Sequence, residues 1–299
     1  MDLIEKKATL CRQCINKPCS LGCPLHNDIP GFISLIRKKK YHDAYNLLCE
    51  TTVLQSVCGR VCPHERQCQG TCAKFTKDRP VPIGKLEVFL GDMAVLHEWD
   101  IPMLSEVEHR KKVLVIGGGP AGLTCAAFLR RHGIDVTIYE KHNYLGGLLE
   151  HGIPEFRLNK KLLKKVIQKI LDLGVKVELN KEFGKDFKLS DIEEEYDAIF
   201  LGFGANVSNK LGVVGEELNG VYGGNELLEA EDYPDFKNKV VAVDGGGNTA
   251  MDVARVVKKL GAKEVIIIYR RGFDDMSADD MRYIESEVRK RYGMDISLS

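Results

Sequence analysis

Two stretches of the sequence repeat one plan of strand, glycine-rich turn, helix and strand. The first, at 112–141, is KVLVIGGGPAGLTCAAFLRRHGIDVTIYEK, and the second, at 240–271, is VVAVDGGGNTAMDVARVVKKLGAKEVIIIYRR. Gly117 of the first matches Gly245 of the second. Short apolar strands joined by one helix are typical of parallel βαβ units. The sequence therefore predicts an α/β fold in which one nucleotide-binding plan is used twice.

The first turn carries the pattern G-x-G-x-x-G at Gly117, Gly119 and Gly122. The first glycine permits the tight turn, the second lets the backbone approach a pyrophosphate, and the third allows close helix–strand packing. The N-terminus of the following helix stabilises the phosphate charge. Glu140 ends the next strand, where its carboxylate can accept hydrogen bonds from ribose hydroxyls. In this context the pattern predicts a dinucleotide with a free ribose, rather than a glycine-rich turn without a ligand.

The second turn has the pattern G-x-G-x-x-A at Gly245, Gly247 and Ala250. The repeat places Arg270 at the position of Glu140, and Arg271 follows it. A carboxylate there would repel a 2′-phosphate, whereas two guanidinium groups bind it through charge-assisted bonds. The sequence thus predicts NADP at the second turn, with a pair of solvated strand-end charges as the alternative.

Asp244 is the residue of the second turn that departs most from the first. It stands where the first unit has Ile116, at the strand end beside the phosphate turn. A carboxylate at this place either weakens pyrophosphate binding or points away from it, and the sequence leaves both possibilities open.

Nine of the ten cysteines lie between Cys11 and Cys72, which marks a separate N-terminal domain. Eight of them form two groups, Cys11, Cys14, Cys19 and Cys23, then Cys58, Cys62, Cys68 and Cys72. The first group, C-x2-C-x4-C-x3-C-P, is close to the C-x2-C-x2-C-x3-C-P pattern of bacterial ferredoxins. Two four-ligand clusters need eight ligands, and spacing alone offers these eight thiols.

A disulfide staple and a structural zinc site are the alternatives. The N-terminus has no apolar signal-peptide core, and no apolar run approaches the ~18 residues of a membrane span. These features predict a cytoplasmic protein away from the membrane, where thiols stay reduced. Zinc sites favour C-x2-C pairs, and only Cys11 and Cys14 form one. Cys49 stands apart in a helical run, and we expect a packed core thiol there.

The charge balance argues against nucleic acid as a partner. Lysine plus arginine and aspartate plus glutamate both number 43, so the formal net charge is zero. The short basic run at 37–40 is predicted to be a solvated helix face. Apolar spacing predicts amphipathic helices over 31–50 and 83–99, and the polar stretch 100–112 is predicted to be a linker.

The sequence resembles a known module across nearly its whole length. The resemblance rests on CRQCINKPCSLGCPLHNDIPGFI, CGRVCPHERQCQGTC, VPIGKLEVF, VIGGGPAGL, GGLLEHGIPEFRL, GGGNTAMDVAR and YRR, which follow one another in order. These motifs resemble the small (beta) subunit family of NADPH-dependent glutamate synthase. The same module occurs in the N-terminal half of dihydropyrimidine dehydrogenase, in electron-bifurcating ferredoxin–NADP oxidoreductases and in sulfide dehydrogenases.

The resemblance implies an α-helical Fe–S domain followed by Rossmann-type α/β domains for FAD and NADP. We expect their bounds at 1–105, 106–235 and 236–299. It implies FAD at the first turn, NADPH at the second, and two [4Fe–4S] clusters. It also implies that the chain returns from the NADP domain to complete the FAD domain, so a sequence that stops at Ser299 lacks that closing segment.

Carried over residue by residue, the resemblance implies an interleaved set of cluster ligands. The first cluster would take Cys11, Cys14, Cys19 and Cys72, and the second Cys23, Cys62, Cys68 and Glu87. Cys58 would then be a bystander. The FAD site would include Gly117, Gly119, Pro120, Ala121, Gly122, Glu140, Lys141, Gly147, Leu148 and Arg157. The NADP site would include Gly245, Gly246, Gly247, Asn248, Thr249, Arg270 and Arg271.

The function implied is electron transfer from NADPH through FAD to the clusters, as in a glutamate synthase small subunit. Such a subunit would serve a large catalytic subunit or a ferredoxin-like acceptor protein. This transfer needs no separate acid–base residue, because the cofactors supply the chemistry. The alternatives are a ferredoxin–NADP oxidoreductase, sulfide dehydrogenase or dihydropyrimidine dehydrogenase type of electron-transfer subunit, and a non-catalytic Fe–S docking subunit.

Overall fold

The computed structural model describes residues 3–75, 80–205, 207–230, 232–270 and 272. The chain divides into two compact units. One comprises Met1–Glu150 and Glu155–Gly204, and the other comprises His151–Pro154 and Ala205–Ser299.

The first unit begins with helices that enclose an apolar core. The described helices of this part are α1 (Leu3–Ala8), α2 (Pro18–Leu21), α3 (Ile29–Arg37), α4 (Tyr41–Cys49), α5 (Gln55–Val61) and α6 (Ile83–Leu96). Phe32, Ile33 and Leu86 are fully buried in this core. Helix α6 agrees with the helix predicted over 83–99, and Cys49 is buried as predicted.

The single helix predicted over 31–50 is wrong, because the structure has two helices there. Helix α3 ends at Arg37, α4 begins at Tyr41, and Lys39 between them has a left-handed φ of 60°. The residues of the basic run are exposed, so no core contact supports a continuous helix through them. The chain can therefore reverse at this point, and both helices present their apolar faces to one core.

Helices α5 and α6 touch through their backbones. A Cβ added at Gly59 would lie 2.7 Å from the carbonyl oxygen of Gly84 and 2.7 Å from the amide nitrogen of Val88. Only glycine fits a contact this close. The approach brings Cys58 and Cys62, at the C-terminal end of α5, near Glu87 of α6.

A parallel sheet completes the first unit. Its strands are β1 (His109–Ile116), β2 (Ile134–Glu140), β3 (Lys176–Leu179) and β4 (Ala198–Leu201), in the order β3-β2-β1-β4. Helix α7 (Pro120–Arg131) joins β1 to β2, and α8 (Lys160–Leu171) precedes β3. The last four residues of β1 are buried, as expected for a parallel strand covered on both faces. The predicted linker is shorter than 100–112, since β1 already begins at His109.

Arg131, the last residue of α7, ties the helical part to the sheet. Its side chain is fully buried; Nε donates to the carbonyl of Pro102 (2.7 Å), and Nη1 donates to the carbonyl of Cys49. Its own carbonyl accepts from the amides of Leu104 and Ser105. The cysteine-rich helices and the first glycine-rich turn therefore belong to one compact body.

The second unit contains the second βαβ element. Its described parts are α9 (Gly224–Glu229), β5 (Val240–Asp244), α10 (Asn248–Lys259) and β6 (Glu264–Ile268), with β5 and β6 parallel. Leu227, Phe236 and Val257 are buried in its core. Among the described residues, no helix combines the length and the apolar character needed to cross a bilayer.

Candidate cofactor sites

The first four predicted cluster ligands lie around one cavity. Cys11, Cys14, Cys19 and Cys72 line it together with apolar side chains that include Ile29, Ile33, Val81 and Ile83. Helix α2 carries Cys19, and the irregular segment between α1 and α2 carries Cys11 and Cys14. Cys72 comes from a segment more than fifty residues further along the chain, so its approach is a tertiary contact.

Two thiols that line this cavity, Cys11 and Cys19, have raised pKa values. Burial raises the pKa of Cys11, and nearby Cys14 and Cys72 raise it further. Burial likewise raises the pKa of Cys19 to about 11, with added effects from Cys11 and Cys72. Four thiolates crowded in apolar surroundings require a positive partner, and iron supplies one. The donor set therefore fits a [4Fe–4S] cluster.

The second predicted ligand set also converges. Burial, together with the charges of Glu87, Cys23 and Cys62, raises the pKa of Cys68 to about 12. These effects place the three thiols and the carboxylate in one neighbourhood. Glu87 is only 5% exposed, and burial raises its pKa. A buried carboxylate among thiols is costly unless it is paired or bound to a metal, so this donor set fits a second cluster.

His64 also belongs to this neighbourhood, although no motif in the sequence assigns it a function. Its Nε2 lies 4.0 Å from Oε2 of Glu87. His64 Nε2 and Glu87 Oε1 are both buried, and neither has a hydrogen-bond partner among the described residues. A Cβ at Gly84 would lie 2.5 Å from the His64 ring, so the ring occupies space that a larger residue would fill. Gly84 in the segment IGKLE is the sequence signal for this contact.

Cys58 lies in the second neighbourhood as well, although the resemblance makes it a bystander. Its thiol is hydrogen-bonded to Cys62, and the charge of Glu87 acts on it. Cys49 is placed differently, because it accepts from Nε2 of Gln55 at 3.2 Å within the core. All ten cysteines are free thiols, so the disulfide alternative is not supported.

The first glycine-rich turn has the shape that a dinucleotide needs. Gly117 has a φ of 108°, and a Cβ on it would lie 2.2 Å from the carbonyl oxygen of Gly202. A Cβ on Gly122 would lie 1.9 Å from the carbonyl oxygen of Gly117. A Cβ on Gly119 would meet only Cα of Gly147, at 3.9 Å, and Gly119 precedes α7, whose first two residues are Pro120 and Ala121. The open side at the helix N-terminus fits a pyrophosphate.

Glu140 is held against this turn. Its Oε2 accepts from the amide of Gly118 (2.7 Å), and its Oε1 accepts from the amide of His142 (2.9 Å). The carboxylate is 5% exposed. A carboxylate oxygen can accept a second bond, so this arrangement leaves capacity for a ribose hydroxyl, and that contact stays a prediction. Lys141, which follows, is exposed.

The segment GGLLEHGIPEFRL reaches the first turn through its two leading glycines. The amide of Gly146 donates to the carbonyl of Gly118 at 2.9 Å. A Cβ on Gly147 would lie 2.9 Å from Cα of Gly119. The structure thus brings Gly147 to the pyrophosphate turn. Leu148 follows in a short 3-10 turn, and Arg157 is half-buried ahead of α8.

The second turn repeats the first with one shift of register. Gly245 has a φ of 125°, and its amide donates to the carbonyl of Ile268 (2.8 Å). In the first unit, Gly117 donates in the same way to Tyr139 (2.7 Å). The residue equivalent to Glu140 is therefore Tyr269, and the expected match of Arg270 with Glu140 is wrong by one residue.

The cause is one additional residue between the helix and the second strand. Tyr139, the partner of Ile116, comes six residues after Gly133, whereas Ile268, the partner of Asp244, comes seven residues after Gly261. Tyr269 packs its ring on Gly246, at 2.6 Å from the position of an added Cβ. Arg270 follows and is exposed, while Arg271 lies outside the described residues.

Further predicted NADP contacts lie at the start of α10. A Cβ on Gly247 would meet nothing within 4 Å, so this turn also has an open side. Asn248 and Thr249 begin α10 and are exposed. Asp244 is exposed at the end of β5. The open helix N-terminus fits a second phosphate group.

Comparison with known families agrees with a cluster-binding part followed by a dinucleotide-binding part. The family described as dihydropyrimidine dehydrogenase domain II, 4Fe-4S cluster, matches residues 2–99. The family described as pyridine nucleotide-disulphide oxidoreductase matches residues 111–298. The chain belongs to the pyridine nucleotide-disulphide oxidoreductase family and carries a 4Fe-4S domain of the dihydropyrimidine dehydrogenase type. The predicted cofactor classes, FAD, NADPH and [4Fe–4S], are confirmed, while the number of clusters and the enzyme activity stay predictions.

Individual relatives place the chain more closely. It is 37% identical to the glutamate synthase [NADPH] small chain of Escherichia coli, over 91% of this chain and 60% of that protein. It is 33% identical to the NAD-dependent dihydropyrimidine dehydrogenase subunit PreT of Salmonella typhimurium, over 96% of this chain and 70% of that protein. The fold is similar to that of Mycobacterium tuberculosis FprA in complex with NADPH, with a TM-score of 0.54, 21% identity, and coverage of 60% of this chain and 48% of that one.

Proposed function

We propose that this chain is an electron-transfer subunit of the glutamate synthase small-chain type, which takes electrons from NADPH and delivers them to two [4Fe–4S] clusters. One observation supports this most directly. Two groups of four ligand-type side chains and the first dinucleotide turn lie in one compact unit. A redox chain needs its centres fixed near one another, and a shared body provides that.

When bound, FAD and the clusters supply the conversion of two-electron into one-electron transfer. The chain supplies placement. Gly119 and the N-terminus of α7 would face the FAD pyrophosphate, with Glu140 holding the turn in shape. Cys11, Cys14, Cys19 and Cys72 would bind one cluster. Cys23, Cys62, Cys68 and Glu87 would bind the other.

The second turn would bind NADPH, with Arg270 and Arg271 on its 2′-phosphate. The open side of Gly247 and the exposure of Arg270 support this proposal. The domain bounds that go with it are 1–105, 106–235 and 236–299, in a cytoplasmic protein. The acceptor would be a large catalytic subunit, because the E. coli relative is a small chain of glutamate synthase.

The test uses the full chain, purified without oxygen and reconstituted with FAD, iron and sulfide. We expect about eight iron and eight labile sulfide per chain, which is four of each per cluster. NADPH should bleach the cluster absorbance when FAD is present and leave it unchanged when FAD is omitted. Stoichiometric zinc without labile sulfide would refute the proposal.

The partner is tested separately. Mixed with the large subunit of glutamate synthase, the loaded chain should support glutamate formation driven by NADPH. If NADPH reduces the clusters but no glutamate forms, the electron-transfer assignment stands and the partner is a different acceptor. Clusters without flavin or any response to NADPH would identify a docking subunit instead.

A further inference from the structure

The side chain of Gln13 is hydrogen-bonded to a proposed ligand of the first cluster. Its Nε2 donates to Sγ of Cys11, and the two atoms are 3.3 Å apart. Gln13 also stands directly before Cys14 in the segment CRQC, so it lies between two proposed ligands of one site. The cysteine pattern assigns this position no function. The contact therefore identifies a residue that the spacing of the thiols does not reveal.

The backbone at Gln13 is unusual for a residue with a side chain. Its φ is 54°, in the left-handed region that residues other than glycine rarely adopt. The segment is anchored on both sides of it. The amide of Cys11 donates to the carbonyl of Ala8 (3.2 Å), and further on the amide of Lys17 donates to the carbonyl of Cys14 (3.2 Å). This conformation is costly, and such costs are concentrated at functional sites.

The bond from Gln13 acts on the charge that the sulfur can carry. The positive end of the N–H dipole faces Sγ of Cys11, where it stabilises negative charge. The cavity beside Cys11 is lined by apolar side chains that include Ile29, Ile33 and Val81. A hydrogen bond is electrostatically stronger in such surroundings than in water. The bond therefore favours whichever state of the site carries more negative charge.

Resting on the function proposed above, we propose that Gln13 is a positioning residue of the first cluster site, where its side-chain N–H group donates to Sγ of Cys11 and raises the reduction potential of the cluster. Hydrogen bonds to the sulfurs are among the factors that set the potential of an iron–sulfur cluster. Reduction adds one negative charge, so a donor that faces the sulfur stabilises the reduced state. The amide of glutamine does not titrate, and its effect should therefore not depend on pH.

The helical part contains a second bond of the same kind, on a sulfur outside both ligand sets. Nε2 of Gln55 donates to Sγ of Cys49 at 3.2 Å. Gln55 is only 2% exposed and also donates to the carbonyl of Thr52 (2.7 Å), so this bond belongs to the core. Gln13 is half-buried. A substitution at Gln13 should therefore leave the core intact.

The experiment uses the full chain, reconstituted without oxygen with iron and sulfide, as the wild type and as two variants. Gln13→Gly removes the donor and suits the left-handed backbone. Gln13→Leu removes the donor and keeps most of the bulk. Gln168→Leu is the matched control, because Gln168 is exposed on α8 and its Nε2 donates to Asp172 rather than to a sulfur.

The readouts are the iron and sulfide content and the potential of each cluster, measured by electron paramagnetic resonance during a redox titration. Neither depends on turnover. Cys11→Ser identifies the signal of the first cluster, since a change of ligand should alter the spectrum of the cluster that this ligand holds.

We expect both Gln13 variants to keep about eight iron atoms and to lower the potential of the first cluster alone. A reduction equilibrium weakened about tenfold corresponds to about 59 mV for one electron. Gln168→Leu should match the wild type at both clusters.

Three results would overturn the inference. The first is an unshifted first potential in whichever Gln13 variant keeps its clusters. The second is the loss of four iron atoms from both variants, which would make Gln13 necessary for assembly rather than for the potential. The third is an equal shift of both clusters, which would indicate a general change of the fold.

The outcome also separates this inference from the function on which it rests. A wild type without labile sulfide would refute both. A wild type with two clusters, together with an unchanged first potential in Gln13→Gly, would refute only the role of Gln13.

Discussion

The two βαβ units place the same backbone turn in different surroundings. In the first, the residue at the end of the second strand is Glu140, whose carboxylate accepts hydrogen bonds from two backbone amides, those of Gly118 and His142. In the second, Tyr269 takes that place and packs its ring on Gly246. The comparison shows that glycine conformation sets the shape of the turn. The side chain at the strand end decides whether a carboxylate or an aromatic ring lies next to it.

The largest effect should come from the third glycine of the first turn. Gly122→Ala would place a Cβ 1.9 Å from a backbone carbonyl that cannot rotate away. We expect the variant to lose about 3 kcal/mol of unfolding free energy, as overpacked sites do, and to lose FAD on desalting. Ala250→Gly is the matched control and should cost about 1 kcal/mol or less. Equilibrium unfolding in urea and bound flavin measure both, and equal midpoints for Gly122→Ala and the wild type would contradict the prediction.

Nucleotide choice should show the next largest effect. Replacing Arg270 and Arg271 with glutamine should weaken NADPH binding by roughly tenfold to a few hundredfold and leave NADH binding nearly unchanged, because only NADPH carries the 2′-phosphate. The preference should shrink as salt rises, since exposed charges are screened. Titration of both nucleotides against the wild type and the double variant tests this. Equal affinity of the wild type for the two nucleotides would reduce both arginines to solvated charges.

A smaller effect is expected at the strand ends. Glu140→Gln keeps the size of the side chain but removes the negative charge of the carboxylate that accepts hydrogen bonds from two backbone amides. We expect a loss of about 1.5–2 kcal/mol of unfolding free energy, because bonds to charged groups are the stronger ones. Tyr269→Phe keeps the ring on Gly246 and should change the stability less. The same urea titration measures both variants, and a larger loss in Tyr269→Phe would show that the two strand ends do not differ in this way.

The smallest effect concerns one exposed carboxylate in each unit. The hydrogen bond from Lys111 lowers the pKa of Asp197 below its usual 3.8, and the bonds from Ser208 lower that of Glu226 below its usual 4.5. Each carboxylate's contribution to folding stability is complete above its pKa in the unfolded chain. It is lost as pH falls through its lower pKa in the folded protein. Asp197→Asn and Glu226→Gln should therefore be less stable than the wild type at pH 7. This difference in unfolding free energy should shrink as pH falls into the acid range below about pH 4.

Thermal unfolding measured at several pH values tests this prediction. Both variants should unfold at lower temperature than the wild type at neutral pH and converge with it in acid. A gap that grows as pH falls would have the wrong sign and would exclude the two bonds as its cause.

The sequence by itself determined the repeated βαβ plan, the two glycine turns and the thiol-rich helical domain. These features depend on local rules. A glycine at positive φ, a helix after a strand and apolar spacing act over a few residues, so they can be predicted from neighbours in the chain. The prediction from apolar spacing failed at 31–50. There the chain reverses at exposed lysines, and the spacing of apolar residues does not reveal that reversal.

Only the tertiary structure decided which distant groups meet. Cys72 joins Cys11, and Cys23 joins Cys68, across forty or more residues of chain. The approach of His64 to Glu87 depends on α5 touching α6 at Gly59. The one-residue shift that makes Tyr269 the equivalent of Glu140 in the second βαβ unit is likewise visible only in the strand register. Spacing along a chain fixes contacts within a helical turn, but the approach of separate segments depends on how their surfaces pack.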